Sequence, residues 1–136
     1  MERAIVTSRL ALRMPGELAT EQDVAIAQDL LDTLAAHANE CVGLAANMVG
    51  IRKRVIAIDD NGTHVAMLNP EVIEKSGAYQ TEEGCLSLPG RRATTRYQQI
   101  VVRWQDLGMA WHEQRFTGWT AQIIQHEVDH CNGILI

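Results

Sequence analysis

The 136-residue chain reads as an α+β protein and not as alternating βαβ units. Two stretches of helical period flank a run of short β-rich segments, and turn-forming residues, not helices, separate those segments. Composition agrees, since 46% hydrophobic and 21% charged residues are what an ordinary globular chain carries. The length predicts a single domain over residues 1–136.

Near the N-terminus Ile5, Val6, Leu10, Ala11 and Leu12 are interrupted by Arg3, Arg9 and Arg13. No continuous apolar stretch results, so the segment reads as structural and not as a signal or a membrane span. Thr20-Glu-Gln-Asp resembles a helix start, with a hydroxyl cap and acidic residues in the first turn. From there Val24, Ala27, Leu30, Leu31, Leu34, Ala35 and Ala38 recur at helical spacing, which predicts a helix ending near Asn39. Gly43 to Gly50 is small and apolar, suited either to core packing or to a pocket wall.

Val55–Asp59 and His64–Leu68 flank Asp60-Asn61-Gly62, a hairpin signal. Further strands are expected at 71–75, 100–105 and 109–116, with Asp106-Leu107-Gly108 turning between the last two. A final helix is predicted from Thr120 to about Asn132, with Gly133 placed to end it. Three Trp, two Tyr and one Phe leave a core that is mostly aliphatic and alanine-rich.

Charge narrows the function. Twelve Lys and Arg against 17 Asp and Glu give a net −5, which argues against nucleic acid or an anionic membrane as partner. The three cysteines, Cys41, Cys85 and Cys131, lack the density of a disulfide framework and predict a reducing cytoplasm.

The chemistry concentrates at His126-Glu127-Val128-Asp129-His130, an HExxH pattern. On a helix its two histidines lie about 40° apart and can bind one metal, while the intervening Glu can reach a water as general base. A charged helix face is the plain alternative. A catalytic metal needs a third protein ligand, and nothing after His130 is a carboxylate or histidine, so that ligand comes from upstream. Cys131 points elsewhere on the helix, and His37, His64 and His112 stand outside any motif. Cys85, within Glu82–Gly90, reads as a thiol held in a compact loop and is the leading candidate; a buried free cysteine is its alternative.

Three ordered segments resemble the signatures of the peptide deformylase family: Gly43-Leu44-Ala45-Ala46 with Gly50, Glu83-Gly84-Cys85-Leu86-Ser87, and Gln125 to His130. The resemblance implies antiparallel strands packed around a central C-terminal HExxH helix, with one N-terminal helix. It implies removal of the formyl group from formyl-methionyl peptides of nascent proteins, in the cytoplasm and in reach of the ribosome, by a monomer or weak dimer. Cys85, His126 and His130 would hold one divalent metal, natively Fe²⁺ or else Zn²⁺, with Ni²⁺ or Co²⁺ able to substitute. Glu127 would be the general acid and base, and the Leu86 backbone N–H an oxyanion donor. Gln125 and Asp129 would support the site from behind.

The departures from the family pattern are Cys41, where glycine is usual, and Met48, at the position of an oxyanion-binding glutamine. Loss of such a donor weakens catalysis by about 10² to 10³ elsewhere. Asn47 carries an amide, but in an extended segment it would face away. Val42, Gly43, Trp119, Gln122 and Ile123 are expected to line the substrate cleft, the last three sharing the face of His126. Gln122 would place a polar group where an apolar pocket is expected. Arg92 resembles a cleft arginine, against a reading of Arg91, Arg92 and Arg96 as a solvated basic loop. The six residues after His130 leave no room for a longer C-terminal helix. Two rivals accompany the deformylase expectation: a weakened or inactive relative that binds metal and a peptide or other partner, and an amidase for another small N-acyl substrate.

Overall fold

In the computed structural model, which describes residues 1–135, the N-terminal segment forms a four-residue helix, α1 (Arg9–Leu12), capped by Ser8. So short a helix leaves no periodic pattern. Thr20 then caps the next helix as expected: its hydroxyl accepts from the Gln22 N–H, and the Asp23 carboxylate accepts from the Thr20 N–H. A 3₁₀ turn, Glu21–Asp23, leads into α2 (Val24–Ala36), which buries Ala27, Leu30 and Leu34 and stops short of Asn39.

Five antiparallel strands follow and pair in sequence order: β1 (Gly43–Ala45), β2 (Val55–Asp60), β3 (Thr63–Cys85), β4 (Leu88–Gln105) and β5 (Trp111–Thr117). The β2–β3 hairpin turns at Asn61 and Gly62, whose φ of 50° and 96° suit the primed turn that matches strand twist. After β1 a 3₁₀ turn, Ala46–Val49, is wholly buried. Residues 43–49 are therefore both core and pocket wall.

Two expectations are corrected. Segments 71–75 and 100–105 are parts of the much longer β3 and β4, and residues 82–85 and 88–90 are strand, leaving only Leu86-Ser87 as the tip of a ribbon. The outer ribbon is polar on both faces, so it carries no hydrophobic alternation to read. The turn after β4 also reaches further than Asp106–Gly108, because Asp106 Oδ1 accepts from both the Gly108 and Ala110 N–H groups and delays β5 to Trp111. Asn69, at φ 53°, shifts the β3 register; its amide exchanges hydrogen bonds with the Ala19 backbone and donates to Gln105.

Helix α3 (Gly118–Cys131) is surrounded: ten of its side chains are buried, from Thr120 to Cys131. Such a helix lies inside the fold, between β1, β2 and the ribbon. It ends as Gly133 turns left-handed at φ 74°, with the Gly133 N–H donating to His130 O and the Ile134 N–H to Asp129 O. Loops satisfy its remaining carbonyls. Asn47 Nδ2 donates to His130 O at 2.8 Å, and Cys131 O accepts from the Gly16 N–H at 2.8 Å and Arg54 Nη1 at 3.1 Å. Leu30, Leu34, Leu44, Ile56, Ile58, Met67, Leu68 and Ile124 form the adjoining core, each worth about 1.5–3 kcal/mol of burial. No helix among the described residues is long and apolar enough to cross a membrane.

Candidate metal centre

Helical spacing turns His126 and His130 to one side of α3, with ring centroids 4.9 Å apart. The ribbon tip brings Cys85 to them. Cys85 Sγ lies 3.4 Å from His130 Nε2, which lies 3.2 Å from His126 Nε2, and all three donor atoms fall within 4.8 Å of one another. Tetrahedral zinc with N and S donors would separate two nitrogens by about 3.3 Å and a nitrogen and a sulfur by about 3.6 Å. The donor set fits a soft divalent ion. Burial opposes a charge on His126, yet Glu127, Cys85 and Glu83 around it raise its pKa to about 10. Burial and the neighbouring His126 instead push His130 down to about 3.

Behind the donors stands a network only partly legible in the sequence. Glu83 accepts from His126 Nδ1 at 2.9 Å, which leaves Nε2 as the free donor. Arg96 donates to both Glu83 oxygens and, at 2.7 Å, to Asp129 Oδ2. Burial works against the Glu83 charge, but hydrogen bonds from His126, Arg96 and Gln122 outweigh it and hold its carboxyl down at about 2. The basic-loop reading of Arg96 is corrected: it is 4% exposed, neutralising two carboxylates. The available signal was period-two alternation, which puts Tyr79, Thr81, Glu83 and Cys85 on one face of β3. Gln125, also behind the site, exchanges two 2.9 Å hydrogen bonds with the Tyr97 backbone and ties α3 to β4.

Glu127 is 4% exposed, its Oε1 has no hydrogen-bond partner, and burial pushes its carboxyl up to about 7. It faces a cavity of about 810 Å³ at whose wall Cys85, His126 and Glu127 meet. Val42, Gly43, Met48 and Leu86 line the same cavity, as do Ile123, Gln122 and Trp119, the last of these 60% exposed at the rim. Arg91 is on the wall, whereas Arg92 is not among the lining residues and donates to Pro89 O. Met48 is buried, with its Sδ accepting from the Ala45 N–H at 3.4 Å. Asn47 is out of play for a different reason than strand alternation: it lies in a 3₁₀ turn and its amide donates to Leu12 O and His130 O. Gln122 is not an unpartnered polar group in an apolar pocket either, because Glu83 and Tyr79 engage its amide. His37, His64 and His112 lie away from the centre, His112 stacked on Trp104.

Comparison with known proteins finds one family along nearly the whole chain. A family profile described as polypeptide deformylase matches residues 8–136. A peptide deformylase of Clostridium beijerinckii is 46% identical over 136 residues, the whole of both chains, and peptide deformylase 1 of Clostridium perfringens is 39% identical over 81% of this chain and 76% of its own. The crystal structure of the Thermotoga maritima peptide deformylase superposes with a TM-score of 0.89 at 32% identity, covering 99% of this chain and 95% of that one. An Acinetobacter baumannii peptide deformylase bound to Met-Ala-Ser superposes with a TM-score of 0.86 at 30% identity, covering 99% and 97%.

Proposed function

This chain belongs to the polypeptide deformylase family, and we propose on that premise that Cys85, His126 and His130 hold the divalent metal with which it removes formyl groups from peptide N-termini. The observation that carries the assignment is the convergence of three donor atoms beside a buried, partnerless carboxylate at one cavity wall. The thiolate and two imidazoles suit Fe²⁺ or Zn²⁺. An ion held there supplies Lewis acidity, lowering the pKa of a water and polarising the formyl oxygen.

The protein's own groups do the rest. Glu127, with its carboxyl pushed up to about 7, accepts a proton from water near neutral pH and returns it to the departing amine nitrogen. The Leu86 N–H, next to Cys85 at the ribbon tip, donates to the oxygen on which negative charge develops. The Met48 side chain offers that oxygen no N–H, so more of the stabilisation falls to Leu86. Edge strand β1 offers the outward backbone groups of Gly43 to an extended peptide, with Val42 beside it on the cavity wall, and Trp119, Gln122 and Ile123 receive its first side chain. The Met-Ala-Ser peptide held by the Acinetobacter relative supports methionine as that first residue. Formylated methionines of nascent chains are substrates of this kind, and a cytoplasmic enzyme would meet them.

The test is formate release from a formyl-Met tripeptide by Fe²⁺-loaded protein prepared without oxygen. Wild type releases formate; Glu127→Ala keeps its metal and loses about 10² to 10⁴ in rate. Metal-saturated wild type that releases none overturns the reading.

A further inference from the structure

The Glu83 carboxylate has four acceptor positions, and all four are taken. Oε1 accepts from His126 Nδ1 at 2.9 Å and Arg96 Nη2 at 2.7 Å; Oε2 accepts from Arg96 Nε at 3.0 Å and Gln122 Nε2 at 2.8 Å. Gln122 is one helical turn before His126, and it also stands on the cavity wall. Its other end is held too, because the Tyr79 hydroxyl donates to Oε1 at 3.2 Å. A phenol has one proton to give, so this contact turns the amide oxygen toward Tyr79 and the amide nitrogen toward Glu83.

We propose that Gln122, oriented by Tyr79, is a positioning residue for the metal centre: its amide locks the Glu83 carboxylate in the rotation that holds the His126 ring with Nε2 facing Cys85 and His130. The inference rests on the ligand set proposed above. Without the amide, one acceptor position of a buried carboxylate is empty. Glu83 can then turn about its last bond and carry Oε1 away from His126. Arg96 grips the carboxylate through Nε and Nη2, yet its Nε reaches both oxygens, at 3.1 and 3.0 Å, so the amide completes a clamp that Arg96 begins.

The test uses the full chain loaded with zinc and follows zinc transfer to an excess of a chromophoric chelator. Gln122→Met keeps the length of the side chain and removes its amide; Tyr79→Phe removes only the hydroxyl. Gln122→Met is expected to release zinc about tenfold faster than wild type, at the lower end of what outer-sphere substitutions cost, and Tyr79→Phe about threefold faster, because it removes only the hydroxyl that orients the amide. In a Glu83→Gln background both accelerations should vanish, because the residues act through that carboxylate. Where Gln122→Met fails to fold, the Tyr79→Phe and Glu83→Gln pair makes the same cycle. Equal release rates in all variants, or accelerations that persist undiminished with Glu83→Gln, overturn the coupling alone. Wild type that binds no zinc overturns the ligand set, and this inference with it.

Discussion

Gly43 and Glu127 are in contact through the one position where a side chain would begin: a Cβ on Gly43 would stand 2.7 Å from Glu127 Oε2 and 3.0 Å from Glu127 Cγ. The same Cβ would meet Ile123 Cγ2 at 3.0 Å, so the obstruction lies along α3 on two successive turns. The glycine at the head of β1 sets how closely the strand approaches the Glu127 carboxylate.

Gly43→Ala should therefore displace Glu127 while leaving Cys85, His126 and His130 in place. A misplacement of about 1 Å can cost about 10² in rate. Steady-state formate release should fall by that order with metal content unchanged by elemental analysis; an alanine variant of wild-type activity would show that the contact has no bearing on the carboxylate.

Met48→Gln should raise activity. The Met48 sulfur already accepts from the Ala45 N–H, and a glutamine oxygen can take that hydrogen bond while its NH₂ turns toward the cavity. A recovered oxyanion donor is worth up to about 10² to 10³. The rise should appear in kcat more than in KM, measured with the formyl-Met tripeptide; no rise in kcat would mean that the amide does not reach the reacting oxygen.

Arg96→Met should destabilise the protein far more than a surface arginine would. It leaves Glu83 and Asp129 without their shared cation, and breaking a buried pair this way costs about 3–5 kcal/mol. Urea denaturation at neutral pH measures it. Loss of less than about 1 kcal/mol, the range of an exposed ion pair, would mean that water replaces the guanidinium.

Thiol labelling separates the cysteines by environment. Burial pushes Cys41 up to about 11 and Cys131 up to about 12, so both are thiols at pH 8. Because the thiolate reacts, the labelling rate at Cys41 should climb about tenfold per pH unit from pH 7 to 9. Mass mapping of a maleimide-treated sample gives the rates, and a pH-independent rate at Cys41 would contradict its protonated state.

What could be read from the sequence was whatever one segment states alone. HExxH spacing places two imidazoles together on any helix, Thr20 announces a capped start, and Asn61-Gly62 announces a hairpin. Glu83 and Arg96 needed more, because neither is adjacent to its partner and their meeting depends on a ribbon register in which Tyr79 faces Arg96. That register lies in the part of β3 and β4 that is polar on both faces. Gln122 looked out of place for the same reason: without Tyr79 and Glu83 located, its amide had no visible partner.

The loop contacts at the end of α3 carry a further consequence. His130 delivers its ring to the centre and its carbonyl to Asn47, which also holds Leu12 O, while the next carbonyl receives the Gly16 amide. The start of the chain is thereby latched to the end of α3 that carries His130, so loosening one removes hydrogen bonds from the other. Deuterium exchange at the Gly16 amide should slow when zinc is added, so that a backbone proton far from His130 in sequence reports the occupancy of the centre.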